Sequence, residues 1–168
     1  PKNFNTASKY PTIIFYPGAG ERGSAAAAAS YGPNAYYKQA GEVIANGVQF
    51  IVISVQPLAQ SPRPHETKLV IDDLLKIYPQ IDTGRLYGTG LSRGGWETDG
   101  YVHYMPTAND YSYIQRFKAL VNVEGQPADD NWGVNLPFPT DFQTYGKRGG
   151  KYLGFEQIYD GRKIKDKV

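Results

Sequence analysis

Residues 86–95 read Leu-Tyr-Gly-Thr-Gly-Leu-Ser-Arg-Gly-Gly, and every other element of the chain can be placed relative to them. The run predicts a short apolar strand that turns sharply at Gly-x-Ser-x-Gly and continues as a helix. This is the nucleophile-elbow pattern, with Ser92 at its tip. So tight a turn drives the serine toward positive φ, and any side chain at Gly90 or Gly94 would collide with neighbouring backbone. The helix that follows aims N–H groups and its positive dipole end at the serine oxygen, which makes Ser92 a candidate nucleophile.

Four other apolar runs predict buried strands, because near-continuous β-branched and aromatic residues are typical of strands covered on both faces. They lie at residues 12–16, 50–55, 118–124 and 151–157, in addition to the strand at 86–90. Helical spacing predicts helices at residues 33–45, 66–78 and 93–104. Strands that alternate with helices form βαβ units. The sequence thus predicts one α/β domain, residues 1–168, with a doubly wound, mainly parallel sheet and helices on both faces.

The first two of these helices each have an apolar side that we expect to face the sheet. It comprises Tyr36, Tyr37, Ala40, Val43 and Ile44 in the first helix, and Leu69, Val70, Leu74 and Ile77 in the second. Asn46-Gly47 is expected to end the first helix. Residues 81–84 are expected to form the turn before the strand at 86–90.

A glycine-rich loop, Pro-Gly-Ala-Gly-Glu-Arg-Gly at residues 17–23, follows the first strand. Open α/β sheets bind ligands at the carboxyl ends of their strands, so we expect Gly18, Ala19 and Gly20 to lie beside Ser92. Small residues there allow backbone N–H groups to approach a substrate oxygen. The alternative interpretation is a flexible turn with no binding role.

Composition narrows the classes of partner. The 168 residues include 18 basic and 16 acidic side chains and carry a formal charge of +2. This balance lacks the excess of positive charge that is typical of nucleic-acid-binding proteins. No apolar run approaches the roughly 20 residues that a membrane span needs. The lack of cysteine excludes disulfides and a cysteine nucleophile, and no pattern predicts a metal site or a cofactor. The chain opens at Pro1 without Met, which is consistent with a removed leader.

Two segments resemble the α/β-hydrolases of the secreted esterase and polyhydroxyalkanoate-depolymerase type, related to feruloyl esterases and prolyl-oligopeptidase-like peptidases. Residues 13–23 are similar to that family's strand and His-Gly-x-Gly-Glu-x-Gly oxyanion loop, and residues 90–96 to its Gly-Leu-Ser-x-Gly-Gly-x elbow. The order of strands between and after them fits, so the resemblance covers essentially the whole chain. It implies a secreted or periplasmic serine hydrolase whose substrate is an ester-containing small molecule or polymer.

The resemblance also implies roles for individual residues. Ser92 would be the nucleophile, and the backbone N–H groups of Ala19 and Arg93 would form the oxyanion hole. The family's acid follows a later strand in the pattern Phe-His-Gly-x-x-Asp, and residues 155–160 match its first and last positions. This nominates Asp160 as the acid. Glu124, at the end of the fourth strand, is the alternative, and either could be an ordinary solvated carboxylate.

Two positions depart from the family's pattern. Tyr16-Pro17 replaces the histidine of the oxyanion loop, which leaves the N–H donors in place. The general base should be a histidine after the acid, yet none follows His103. His103 is 11 residues past Ser92 on the same predicted helix, roughly 16 Å along its axis, whereas a base must lie within about 3 Å. His65 is expected in a loop, with an anchoring role.

Two functions from different classes follow. The first is a serine carboxylic-ester hydrolase, seen here as a fragment that lacks the last strand, the catalytic histidine and the terminal helix. By itself such a fragment should hydrolyse esters poorly, because a serine without its base is a weak nucleophile. The second is a non-catalytic module of the same fold that binds or supports a larger extracellular assembly. A carbohydrate-binding domain is a third interpretation, and it rests only on the 14 tyrosines and other aromatic residues.

Overall fold

The computed structural model describes residues 1–56, 64–103, 112–125 and 151–155. Within them the strands are β1 Tyr10–Tyr16, β2 Ile44–Ala45, β3 Val48–Gln49, β4 Ile51–Ser54, β5 Ile81–Leu91, β6 Phe117–Val123 and β7 Lys151–Phe155. The α-helices are α1 Ala25–Ala28, α2 Gly32–Ala40, α3 Pro64–Ile77 and α4 Arg93–His103, and 3₁₀ turns cover Ala19–Glu21 and Ile114–Arg116. In this part of the chain, no helix combines the length and the apolar character needed to cross a membrane.

Five strands form one sheet in the order β4-β1-β5-β6-β7, and every neighbouring pair is parallel. From β1 the chain passes to β4 on one side, and from there it crosses back to β5 on the other side of β1. The direction of winding therefore reverses between β1 and β5. The carboxyl ends of the two strands on either side of such a reversal border a crevice in which α/β proteins bind ligands.

Helices cover both faces of this sheet. Successive residues of a strand point to opposite faces, and Ile14 and Phe15 of β1 do so. Ile14 belongs to the buried cluster that includes Ile71 of α3. On the other face, the ring of Phe15 lies so close to Gly32 of α2 that a Cβ there would come within 2.4 Å of it. The predicted doubly wound architecture is confirmed.

The main hydrophobic core lies on the face covered by α3, and α4 packs beside α3. Its fully buried members are Ile14, Tyr16, Ile71, Ile81, Leu86, Tyr113, Phe117 and Leu120. Because Ile81 and Leu86 are among them, the strand that leads to Ser92 is anchored in this core. The strand β5 begins at Ile81, which pairs with Tyr10, and regular pairing with β1 resumes only at Leu86. The turn predicted at residues 81–84 is thus an irregular stretch within the strand, in which the N–H of Gly84 donates to Oδ1 of Asp82.

The predicted helix at residues 33–45 is too long at its carboxyl end. It stops at Ala40 because Gly41 adopts a left-handed conformation, with φ of 75°, and its N–H donates to the carbonyl of Tyr37. Ile44–Ala45 and Val48–Gln49 then pair as a short hairpin. Asn46 and Gly47 both have positive φ, as a two-residue hairpin turn requires. The same dipeptide is typical of helix ends and of hairpin turns, and here it forms the turn.

None of the residues of α2 is buried, so the apolar side predicted for Tyr36 and Tyr37 is wrong.

The face of α3 that contacts the sheet also differs from the predicted one. Leu69 is 63% exposed and Val70 and Ile77 are also exposed, whereas Ile71 is only 1% exposed. Leu74 packs partly against the core, as predicted. Apolar residues occur on more than one side of this helix, so spacing alone could not determine which side is buried.

An ion-pair cluster ties α3 to the 3₁₀ turn before β6. Asp72 accepts hydrogen bonds from Lys68, at 2.7 Å, and from Arg116. Burial by itself raises the pKa of the Asp72 carboxyl, but the bonds from Lys68 and Arg116 outweigh it, and the pKa lies below its ordinary value. The cluster lies where β6 begins, at the opposite edge of the sheet from the end of β5.

Candidate active site

Ser92 is the single residue between the end of β5 and the start of α4. Its φ is 53°, in the left-handed region that a non-glycine residue rarely adopts, as the sequence predicted. Its N–H donates to the carbonyl of Val123 at 2.8 Å, and its own carbonyl accepts from the N–H of Trp96 at 3.0 Å. The backbone is thus held from both sides while the residue as a whole remains exposed. A left-handed backbone at a serine costs about 1–2 kcal/mol, and these bonds maintain it.

Two glycines make this sharp turn possible. A Cβ added to Gly90 would lie 2.1 Å from the carbonyl oxygen of Gly94. A Cβ added to Gly94 would lie 1.9 Å from the carbonyl oxygen of Tyr16, at the end of β1. Both distances are far below any contact between a carbon and an oxygen. The predicted collisions at these two positions are confirmed, and they show that α4 starts in direct contact with the end of β1.

The glycine-rich loop after β1 lies against this turn. A Cβ placed on Gly18 would be 3.6 Å from the Cβ of Ser92 and 3.2 Å from the carbonyl oxygen of Leu91. The expectation that the loop lies beside Ser92 is therefore confirmed for Gly18. Ala19 begins the 3₁₀ turn Ala19–Glu21, and Arg93 begins α4. An amide at the first position of a helix has no acceptor within that helix. The oxyanion-hole role of these two amides stays a prediction.

Three charged side chains brace this loop, and the sequence analysis missed the role of each. The N–H of Gly18 donates to Oε2 of Glu21 at 2.8 Å. Arg22 donates through Nε and Nη2 to the carbonyl of Pro17, at 3.1 and 3.0 Å. Nη2 of Arg22 also binds Oε1 of Glu97, in α4, at 2.7 Å. Glu97 is buried in α4, and no pattern in the sequence around it marks a partner 75 residues away.

The turn after β6 forms the other wall of the site. Oδ1 of Asn122 accepts from the N–H of Gly125 at 2.8 Å, and its Nδ2 donates to the carbonyl of the same residue at 3.2 Å. Between them, Glu124 has a φ of 53°. Because Ser92 donates to Val123, Glu124 follows directly on a residue bonded to the serine. The alternative acid therefore lies on a strained backbone next to the turn, whereas Asp160 lies outside the described residues.

The two histidines lie near the ends of helices, His65 at the start of α3 and His103 at the end of α4. His65 is the second residue of α3, so the expectation of a loop position is wrong for its backbone. His103 is the last residue of α4, which runs without a break for 11 residues after Ser92. At 1.5 Å per residue its backbone is roughly 16 Å from the serine, as predicted. Among the described residues, no group of three or more histidine, aspartate or glutamate side chains is arranged to hold a metal ion.

Comparisons with known proteins bear on the fold. No family model matches the chain, and no curated protein does. Among solved structures, esterase 2 of Thermogutta terrifontis phosphorylated by paraoxon is 13% identical with a TM-score of 0.55, over 100% of this chain and 80% of that one. The carboxylesterase EstE1 from a metagenomic library is 15% identical with a TM-score of 0.50, over 81% of this chain and 44% of that one. An acylaminoacyl peptidase in complex with Z-Gly-Gly-Phe-chloromethyl ketone is 15% identical with a TM-score of 0.50, over 98% of this chain and 35% of that one.

The sequence identities are low, so these similarities bear on the fold alone. Together with the parallel sheet, they show that the chain has the α/β-hydrolase fold that the two glycine segments implied. The chain spans less than half the length of EstE1 and of the peptidase.

Proposed function

We propose that the protein is a serine hydrolase of the carboxylesterase or depolymerase type, which cleaves esters of small molecules or polymers through an acyl-enzyme on Ser92. The observation that carries the proposal is the exposed Ser92, at a φ of 53°, between β5 and α4 and against the Gly18 loop. Two of the structural neighbours are esterases and a third is a peptidase, which supports this class of reaction. Within this chain, Ser92 and the loop beside it supply the nucleophile and the proposed oxyanion donors.

In the proposed reaction, Oγ of Ser92 forms a bond to the ester carbonyl carbon while the carbonyl oxygen becomes an oxyanion. The N–H groups of Ala19 and Arg93 bind that oxyanion, and loss of one such donor costs about 10²–10³ in kcat. The C–O bond to the alcohol then breaks, and the alcohol leaves with the proton that the general base took from the serine. Water repeats the sequence on the acyl-enzyme and releases the acid.

The mechanism needs a histidine to take the serine proton and a carboxylate to orient it. We propose Asp160 as the carboxylate and Glu124 as its alternative. His103 is a full helix length from Ser92. The mechanism therefore requires a histidine other than His103 as its general base. We further propose the secreted or periplasmic branch of the family, for which the resemblance of the two motifs is the support.

One observation favours a second function. The chain contains only two histidines, and the one on α4 cannot reach the serine from its position on the helix. A module of this fold without a base would bind esters or support a larger extracellular assembly without turnover. The experiment below separates the two functions.

The test is a serine-directed fluorophosphonate probe, applied to the full-length protein, to its Ser92→Ala variant and to Ser30→Ala as a matched surface control. Rapid stoichiometric labelling that disappears only in Ser92→Ala, together with hydrolysis of p-nitrophenyl esters, is the expected result. A folded protein that neither labels nor hydrolyses would establish the non-catalytic alternative. The 168-residue chain alone should label slowly, and rapid labelling of it would direct attention to His65.

A further inference from the structure

Two charged side chains connect the glycine loop to the helix that follows Ser92. Arg22 and Glu97 form an ion pair at 2.7 Å in which their side chains are only 13% and 1% exposed. The same guanidinium donates two bonds to the carbonyl of Pro17, at 3.1 and 3.0 Å. One arginine therefore joins the end of β1 to α4, across the crevice between β1 and β5.

A second carboxylate fixes the next residue of the loop. Oε2 of Glu21 accepts from the N–H of Gly18 at 2.8 Å, and the N–H of Glu21 donates to the carbonyl of Gly18 at 2.9 Å. Pro17 and Gly18 are the two residues that precede Ala19. The carbonyl of Pro17 and the N–H of Gly18 belong to one peptide group, which the side chains of Arg22 and Glu21 hold. The next peptide group carries the Ala19 N–H, and the backbone N–H of Glu21 holds it through the Gly18 carbonyl.

A stabilising role alone does not explain a buried ion pair. Taking two charges out of water is costly, and well-packed apolar residues of similar volume are often as stable in their place. A charged, hydrogen-bonded pair has a defined direction and length, whereas an apolar contact does not. Glu97 lies on α4 five residues after Ser92. Because both residues belong to the same turn and helix, the position of the Glu97 carboxylate relative to Ser92 is fixed. Arg22 binds this carboxylate and the Pro17 carbonyl, so it also fixes the position of the loop relative to Ser92.

We propose that Arg22 and Glu97 are positioning residues, whose ion pair holds the Ala19 amide where it binds the oxyanion formed at Ser92. The proposal rests on the proposed function of Ser92 as a nucleophile. The pair would contribute little to substrate binding before reaction, because its effect is felt only where negative charge develops. Its removal should lower kcat and leave KM nearly unchanged.

The decisive variant is the double substitution Arg22→Met with Glu97→Leu, made in the full-length protein. It removes both buried charges together, so that neither is left uncompensated. We expect kcat for a p-nitrophenyl ester to fall about 10- to 100-fold, since displacement of a catalytic group by about 1 Å can cost 10²-fold. The corresponding thionoester gives a second readout. Its sulfur accepts hydrogen bonds weakly, so its hydrolysis depends less on the amides, and the ratio of ester to thionoester rates should fall.

Two further variants complete the test. Arg22→Lys retains a charge opposite Glu97 but cannot donate through two fixed N–H groups to Pro17, and it should lower the same ratio even if the double variant fails to fold. Arg116→Met with Asp72→Leu is the matched control, because it removes an ion pair at the opposite edge of the sheet. It should alter the melting temperature and leave kcat and the ratio unchanged.

Two results would overturn the positioning role. One is a folded double variant with unaltered kcat and rate ratio, and the other is an equal loss of the ester and thionoester rates, which would indicate a structural effect. Failure of the proposed function has a different signature. If Ser92→Ala hydrolysed esters as well as the native protein does, the serine would not be the nucleophile, whatever the behaviour of the pair.

Discussion

Substitution of Gly94 by alanine tests the contact between β1 and α4. The added methyl group would lie 1.9 Å from the carbonyl oxygen of Tyr16 and 3.0 Å from that of Pro17. An ordinary contact of a Cβ atom is roughly 3.4 Å or more, so the helix start must move from the strand end by about 1.5 Å. Both partners are backbone, and neither can avoid the contact by changing a rotamer.

The free energy can be estimated from opposing terms. Overpacking costs about 1–3 kcal/mol, and a clash with backbone belongs at the upper end of that range. Alanine in a helix gains about 1 kcal/mol over glycine. We therefore expect Gly94→Ala to lower the free energy of unfolding by about 2 kcal/mol, and to lower the melting temperature by about 4–8 °C in a domain of this size.

The measurement is a thermal-unfolding assay, in which the sign of the change in melting temperature distinguishes two effects. Helix propensity alone predicts that Gly94→Ala raises the melting temperature, whereas the contact with Tyr16 predicts that it lowers it. Gly20→Ala in the glycine loop is the matched control, because a Cβ there meets no atom within 4 Å. It should be neutral or stabilise by about 0.4–1 kcal/mol. A Gly94→Ala variant as stable as Gly20→Ala would refute the close approach of α4 to β1.

Three other outcomes are expected. Ser92→Gly should unfold in urea with a free energy about 1 kcal/mol higher than Ser92→Ala, because glycine adopts positive φ without strain; equal values would mean that the turn is relaxed. In the full-length protein, Asp160→Asn should lower kcat by orders of magnitude and Glu124→Gln much less, and the reverse order would make Glu124 the acid. The lowered pKa of Asp72 contributes stability that is present above its unfolded value of about 3.8 and lost as pH falls through the folded value. Asp72→Asn should therefore destabilise at neutral pH, with the difference from the native protein vanishing in strong acid on urea titration.

The sequence was most informative where local sterics leave few choices. The Gly-x-Ser-x-Gly run allows one kind of strand-to-helix turn, so the positive φ of Ser92 and the collisions at Gly90 and Gly94 could be predicted. The position of Gly18 beside the serine followed from a rule of parallel sheets, since both lie at the carboxyl ends of neighbouring strands.

Other features depend on contacts that local sequence does not encode. Arg22 and Glu97 are 75 residues apart, and neither has a neighbour in sequence that marks it as half of a buried pair. The buried side of α3 could not be chosen from spacing, because Leu69 and Ile71 are equally apolar and only the packed sheet distinguishes them. Asn46-Gly47 suits both a helix end and a hairpin turn, and the left-handed Gly41 upstream decided between them.

The place of β1 and β5 in the sheet has a consequence for how the molecule opens. Each is hydrogen-bonded to a strand on both sides, whereas β4 and β7 lie at the edges of the sheet in the described part of the chain. Local openings begin at such edges, and amides of interior strands exchange with solvent only in the largest openings. Ser92 and the Gly18 loop are joined to two of the three interior strands, β1, β5 and β6, which should exchange last. On warming, fraying from either edge would leave the serine turn intact, so its geometry should be lost together with the whole sheet and not before it.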